Sequence, residues 1–294
     1  MKNYFILLSA LLMAACGNDN EYDAMGRFEA TDVVVSAEMP GKILSLDVIE
    51  GCEVKADTQV GSIDTMQLFL QRKQMSAQLD AQLQSRPDIQ REASSLRRQI
   101  EKQKKEKRRF ARMLKEGAAT QKQFDDIKAQ LNVLEGSLDA LLSRLGSSTA
   151  SINSSAAALR AGIEQIDDQL YKCRVSSPIS GVVLSKYAEG GEFVQPGRPL
   201  FKVADMNRMY LRSYFTSEQL ADVKLGDKVR VVADFGGGAR NEYEGTISNI
   251  ASESEFTPKT IQTKDSRANL VYAVKIAVKN DGRLKIGFTG EVFL

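Results

Sequence analysis

Cys16, Cys52 and Cys173 are the three thiols of this 294-residue chain, and no histidine or tryptophan accompanies them. Histidine is the commonest general base near neutral pH and the commonest metal ligand. Its absence lowers the expectation of an enzyme, and thiols with no His and no nearby Cys make a poor metal site. The sequence therefore assigns no catalytic or metal-binding residue and no cofactor. Gly41, Gly51, Gly181 and Gly191 mark turns and not a phosphate cradle, because no helix N-terminus follows them. The chemistry that remains is recognition. Arg109 can offer paired hydrogen bonds to a carboxylate or a backbone carbonyl. Thr120 can cap its own helix or bond across an interface. Taken singly, the two read as a solvated charge and an ordinary N-cap.

The N-terminus reads as a targeting signal. Lys2 precedes a mostly apolar run from Tyr4 to Ala15, far short of the roughly 20 residues that span a bilayer. The run ends Met13-Ala14-Ala15-Cys16. This resembles a bacterial lipoprotein signal, which is cleaved before the Cys and lipidated on it, although Met13 stands where Leu is usual. The alternative is an ordinary signal peptide with a chance Cys, but the polar Gly17-Asn18-Asp19-Asn20-Glu21 follows like a tether. Acyl chains on Cys16 would hold the chain to a membrane, each buried CH₂ contributing about 0.8 kcal/mol.

The elements that must position these residues show in an internal repeat. Gly41-Lys42-Ile43-Leu44-Ser45 returns as Gly181-Val182-Val183-Leu184-Ser185, an offset of 140 that also carries Gly51 onto Gly191, Val54 onto Val194 and Val60 onto Leu200. Both copies have short β-branched runs broken by turn residues, the grammar of strands. Cys52 aligns with Glu192, so Cys52 and Cys173 are not equivalent; two isolated, partly buried thiols fit better than a disulfide.

Between the copies the rhythm is helical. Phe124, Ile127, Leu131, Leu134, Leu138, Leu141 and Leu145 step by three and four, the seam of a coiled coil. Ala93, Leu96, Ile100, Gln103, Lys107, Phe110 and Leu114 step likewise. Gly117 ends one leg and Thr120 caps the next, so the legs form an antiparallel hairpin. Ile152 to Leu170 and Leu68 to Leu83 continue the seam away from the turn. Pro87 is expected to break the first leg, and Gly146-Ser147-Ser148 to make a matching joint, as a bend or a break, on the second. Phe69, Phe110 and Phe124 read as seam residues. A third region, 205–294, has five or six strand-like runs and one short helical stretch, 217–223, which suggests a small closed barrel.

The split repeat resembles the two halves of a biotinyl- or lipoyl-type module. That module displays a modifiable Lys on the hairpin joining its halves, whereas here the junction is Asp64-Thr65-Met66. This argues against an acyl- or carboxyl-carrier domain. With a helical insert at that junction and a barrel after it, the chain resembles the HlyD-type periplasmic adaptors, or membrane fusion proteins. The resemblance implies a multidomain α and β fold: a lipoyl-like barrel-sandwich hybrid split by a long antiparallel α-helical coiled-coil hairpin, plus a small antiparallel β-barrel. The expected boundaries are a lipoprotein signal peptide at 1–15, a tether at 16–27, the lipoyl-like module at 28–64 and 173–204 with its first strand free to join the barrel, the hairpin at 65–172 with its tip near 117–120, and the barrel at 205–294.

Family members that dock on TolC-like outer-membrane channels carry an Arg, a Leu four residues later and a Ser seven after that. Arg109, Met113 and Thr120 stand there, with Asp125 where the family often has an acidic residue. The stretch Phe256 to Lys264, with Leu270 to Ile276, is similar to the barrel of adaptors that serve ABC-type exporters. The implied partners are an inner-membrane transporter, a TolC-like channel, further copies of the chain in a ring that is commonly six-fold, and a membrane reached through lipid on Cys16. The implied place is the periplasm, at the inner membrane. The alternatives are an adaptor for a proton-driven pump and an envelope scaffold lipoprotein without export. The chain has 40 basic and 38 acidic residues, which argues against nucleic acid as a partner. One stretch departs from that balance: 91–115 carries 11 basic and 3 acidic residues, a surplus of 8. It reads as a solvated face or as a surface that takes Asp125, Asp126, Glu135 and Asp139 of a neighbouring copy.

Overall fold

A computed structural model describes residues 22–236, 240–256 and 270–294. Cys16, the signal segment and half of the expected tether lie outside the described residues, as do 237–239 and the stretch from Thr257 through Lys264. The chain divides into two compact units, residues up to Ser62 with Val175–Leu294, and Ile63–Arg174.

The first unit is β-rich. Its strands are β1 (Ala24–Ser36), β2 (Gly41–Leu46), β3 (Glu53–Val54), β4 (Gln59–Ile63), β5 (Arg174–Ser176), β6 (Gly181–Lys186), β7 (Phe193–Val194), β8 (Pro199–Thr216), β9 (Lys228–Asp234), β10 (Arg240–Phe256), β11 (Leu270–Lys279) and β12 (Thr289–Phe293). The repeat is a structural one. Adding 140 to the bounds of β2 and β3 gives those of β6 and β7, and adding it to the start of β4 gives the start of β8. The copies exchange strands. Val54 pairs with Gly181 and, symmetrically, Val194 pairs with Gly41. One four-stranded sheet runs β5-β4-β2-β7, and its counterpart runs from the second half of β1 through β8 and β6 to β3. The side chains that fill the space between are themselves repeats of one another: Ile43 and Val183, Val60 and Leu200, Ile63 and Val203 are all buried. Burying an aliphatic side chain of this size contributes about 1.5–3 kcal/mol, so neither copy is stable without the apolar face of the other.

The strands β1 and β8 are long because each serves two structures. Asp32 to Ser36 pair with Pro199 to Ala204 in the sandwich, and Met25 to Ala30 pair with Met209 to Tyr214 in a barrel. The barrel closes as β1-β12-β9-β10-β11-β8, with β8 returning to β1. Phe28, Leu211, Phe215, Val231, Ile247, Ile276 and Val292 fill it. Ala24 to Arg27, expected in the tether, are therefore barrel strand, held by β12 on one side and β8 on the other. The helical stretch expected at 217–223 is a single 3₁₀ turn, Gln219–Asp222, whose Leu220 packs on the barrel core.

The second unit is helical: α1 (Met66–Gln84), α2 (Ile89–Lys115) and α3 (Gln121–Lys172). Pro87 divides α1 from α2, since it has no N–H and disfavours helix at the residue before it. Asp88 restarts the helix, its carboxylate accepting from the Arg91 amide at 3.0 Å. Helix α3 does not break at Gly146. The 52 residues of α3 are one helix, because Leu145 is buried in the seam and Thr149 back-bonds to its carbonyl. Both α1 and α2 pack on α3. The expected three-and-four seam positions on the three helices are buried or half-buried, with Ala93, Ile100, Leu131, Leu145, Ala156 and Ile166 the deepest. Phe69 is the exception among the expected seam residues: it follows Leu68, which takes the seam position, and is itself exposed. Adjacent helical residues do not share a face, so one of the two must point away. Arg72 reaches across to both oxygens of Asp167, at 2.5 and 3.3 Å. Among the described residues no helix is long and apolar enough to cross a membrane.

The hairpin tip as candidate docking site

The tip is a five-residue connection, Glu116 to Thr120, closed by backbone bonds at both ends. Gly117 takes φ +73°, a conformation glycine adopts without a Cβ penalty. That lets the Ala118 amide reach the Met113 carbonyl at 2.8 Å and the Gly117 amide reach Leu114 at 3.2 Å. This pair of bonds is a Schellman motif, which satisfies carbonyls that the end of α2 would leave open. On the other side Thr120 and Gln123 form a capping box. The Gln123 amide donates to the Thr120 hydroxyl at 3.3 Å, and the Thr120 amide donates to the Gln123 side chain at 2.9 Å. The Thr-x-x-Gln spacing is a legible signature of that motif, and it brings Gln123 into the tip beside the three residues expected there.

Those three expected docking residues flank the turn. Arg109 is exposed; among the described residues its only ion pair is a 3.6 Å contact to Glu106 one turn back, and its guanidinium lies 5.8 Å from the Phe110 ring. Met113 lies four residues on, on the same side of α2, and is half-buried. Thr120 is exposed. Its oxygen is used as an acceptor by the cap, but a hydroxyl also carries a donor. Capping therefore leaves the O–H to bond a carbonyl outside the chain, and the two roles of Thr120 are compatible. Of the acidic positions on α3, Glu135 is paired within the hairpin, with Lys104 at 3.4 Å.

Cys52 is exposed, Cys173 is buried, and both are free. Burial pushes the Cys173 thiol up from its ordinary pKa, with the charge of Asp64 adding to it. A buried, protonated thiol is neither nucleophile nor metal ligand. Among the described residues no group of His, Cys, Asp and Glu could hold a metal ion.

A β-sandwich of two interlocked repeats, opened at one junction to carry a capped helical hairpin and joined to a closed barrel, defines an adaptor architecture. A family described as RND MFP, barrel-sandwich hybrid domain, matches residues 31–206, more than half of the chain. The chain belongs to this family of membrane fusion proteins. Among relatives, a UPF0194 membrane protein of Acidithiobacillus ferridurans is 33% identical over 136 residues, 46% of this chain and 40% of that protein. A UPF0194 membrane protein of Yersinia pestis is 31% identical over 102 residues, 35% of this chain and 30% of that one. The matches thus span well under half of these relatives' lengths. MacA from Actinobacillus actinomycetemcomitans shares the fold, with a TM-score of 0.52 at 21% identity over 92% of this chain and 76% of MacA. A membrane fusion protein from Streptococcus pneumoniae R6 does so at 0.53 and 16% identity, covering 92% of this chain and 96% of its own.

Proposed function

We propose that this chain is the periplasmic adaptor of a tripartite export system. It links an inner-membrane transporter to a TolC-like outer-membrane channel and is held to the inner membrane by lipid on Cys16. The observation that carries the proposal is the insertion itself: a long helical hairpin is inserted in the chain at the junction where a carrier module would present its lysine. In place of a modifiable side chain stands a hairpin whose tip carries the recognition groups Arg109, Met113 and Thr120. In this reading Arg109 and the Thr120 hydroxyl bond carbonyls or carboxylates of the channel, and Met113 supplies an apolar contact. Several copies act together as a ring, and energy comes from the transporter.

The transporter is of the ABC type, a reading supported by the similarity of Phe256 to Lys264 and of Leu270 to Ile276 to adaptors of that class. A second reading, an adaptor of a proton-driven pump, is favoured by the family's own description, which names RND systems. Photo-crosslinkers placed in the living cell at Thr120 and at the exposed barrel residue Leu225 test both, with captured partners identified by mass. The expected products are an outer-membrane channel from position 120 and a transporter subunit from position 225, whose ATPase or proton-antiporter sequence decides the class. Capture of neither a channel nor a transporter would leave only the envelope scaffold.

A further inference from the structure

A second rhythm runs along α2, and it is made of cations. Arg91, Arg98, Lys102, Lys105, Arg109 and Arg112 step by 7, 4, 3, 4 and 3, the spacing of a coiled-coil seam. Each stands two positions from a residue of the seam that packs on α3. Arg98 and Lys102 flank Ile100 in this way, and Arg112 precedes Leu114. Two positions are ~200° round a helix, so the six lie on the side of α2 turned away from α3. All six are exposed. Among the described residues only Arg109 of the six has an ion pair, its 3.6 Å contact to Glu106, while Glu101 approaches Lys104 beside the ridge. Five cations in a row are thus left to a group outside the hairpin.

The shape and chemistry of this ridge select its occupant. Arg91 to Arg112 spans ~32 Å at ~1.5 Å per residue, on one unbroken helix. Guanidinium groups bind carboxylates through paired hydrogen bonds. A helix that lies on a bilayer needs an apolar face to bury in it. Here Ser94 and Ser95 fill the gap between Arg91 and Arg98, and the apolar side of α2 is spent on α3, with Ala93 and Ile100 buried. A long polymer with repeated carboxylates can lie along such a ridge without a groove to enter. In the compartment of an adaptor, peptidoglycan is a polymer of that description: a glycan strand whose peptide stems carry free carboxylates.

We infer that the outer ridge of α2 binds the carboxylates of peptidoglycan and so holds the hairpin at the cell wall. The inference rests on the adaptor reading only for the compartment. It is tested by co-sedimentation of the full chain in detergent with purified sacculi, without transporter or channel. The wild type is expected to sediment with sacculi at ~0.1 M salt and to be released progressively as salt is raised. Sacculi whose carboxylates have been converted to amides are expected not to retain it. Arg98→Glu with Lys102→Glu and Lys105→Glu is expected to weaken binding by on the order of tenfold or more. Lys122→Glu with Lys128→Glu and Arg144→Glu makes the same change of net charge at exposed positions on α3 and is expected to bind as the wild type does. Both variants should keep the wild-type melting midpoint. Failure of the wild type to sediment, undiminished binding to amidated sacculi, or equal loss in the two variants would each overturn the inference. So would displacement by polyphosphate at a lower concentration than by soluble peptidoglycan fragments, which would make the ridge a phosphate site. A chain that captures the channel from position 120 in the cell yet ignores sacculi overturns this inference and leaves the export reading standing.

Discussion

Asp57 and Gly197 stand 140 positions apart and hold the same left-handed turn, at φ +59° and +86°. The amide of Asp57 donates to Ser177 at 2.8 Å, and that of Gly197 donates to Ala37 at 2.8 Å; these acceptors are also 140 apart. Each copy of the repeat thus closes its last turn on the other. Aspartate tolerates the left-handed region better than most residues, whereas a β-branched residue does not. A Cβ added at Gly197 meets nothing within 4 Å, so substitutions there report backbone cost alone. Gly197→Asp is expected to cost less than ~1 kcal/mol and Gly197→Val about 2 kcal/mol, read from urea midpoints. Equal costs for the two would show that the turn is not held in this conformation.

The same substitution has opposite consequences in the two units. At Gly181 a Cβ would sit 2.1 Å from the carbonyl oxygen of Ala204, inside the β6–β8 ladder. Gly181→Ala must push apart a pair of hydrogen-bonded strands and is expected to cost about 1–3 kcal/mol. Gly136 lies on α3 with nothing within 4 Å. Gly136→Ala there is expected to gain up to about 1 kcal/mol through helix propensity. Thermal unfolding followed by circular dichroism distinguishes a lowered from a raised midpoint.

The seam of the hairpin was legible because a 3.5-residue apolar period survives in the sequence whatever the surroundings. The break at Pro87 was legible because proline acts locally. The continuity of α3 through Gly146 was not, since a glycine costs a helix only about 1 kcal/mol and the burial of Leu145 beside it exceeds that. The repeat was visible, but its strand exchange was not: β3 and β7 are two residues each and carry no period. Ala24 to Arg27 lack β-branched residues and read as tether; pairing on both sides, not propensity, makes them strand. At the tip the cap was legible in Thr120 and Gln123, while the Schellman bonds depend on the backbone of Gly117, which no side-chain pattern reports.

Two thiols in one chain should differ sharply in reactivity. Cys52 is exposed, whereas Cys173 is buried and holds its proton to higher pH than an ordinary thiol. Since the thiolate is the reactive form, maleimide at neutral pH is expected to label Cys52 within minutes and to leave Cys173 unmodified. Raising the pH toward the ordinary thiol range should still spare Cys173, because its raised pKa keeps it neutral there; denaturant should release it. Labelling is read by peptide mass. Equal labelling of both in the folded protein would contradict the packing around residue 173.

The tip allows the structural and the docking roles of one side chain to be separated. Thr120→Ala removes the acceptor that holds the Gln123 amide and is expected to cost about 1 kcal/mol, together with channel cross-linking. Thr120→Ser keeps acceptor and donor and is expected to retain both. Thr120→Asp keeps the acceptor and supplies no donor at neutral pH. It should therefore preserve the helix start, seen as an unchanged melting midpoint, yet lose the channel. Among the described residues the one ion pair of Arg109 is the exposed 3.6 Å contact to Glu106, and such pairs contribute little. Arg109→Ala should leave the midpoint unchanged while weakening capture. Undiminished channel cross-linking in both Thr120→Asp and Arg109→Ala would confine the tip to a structural role and move the docking surface elsewhere on the hairpin.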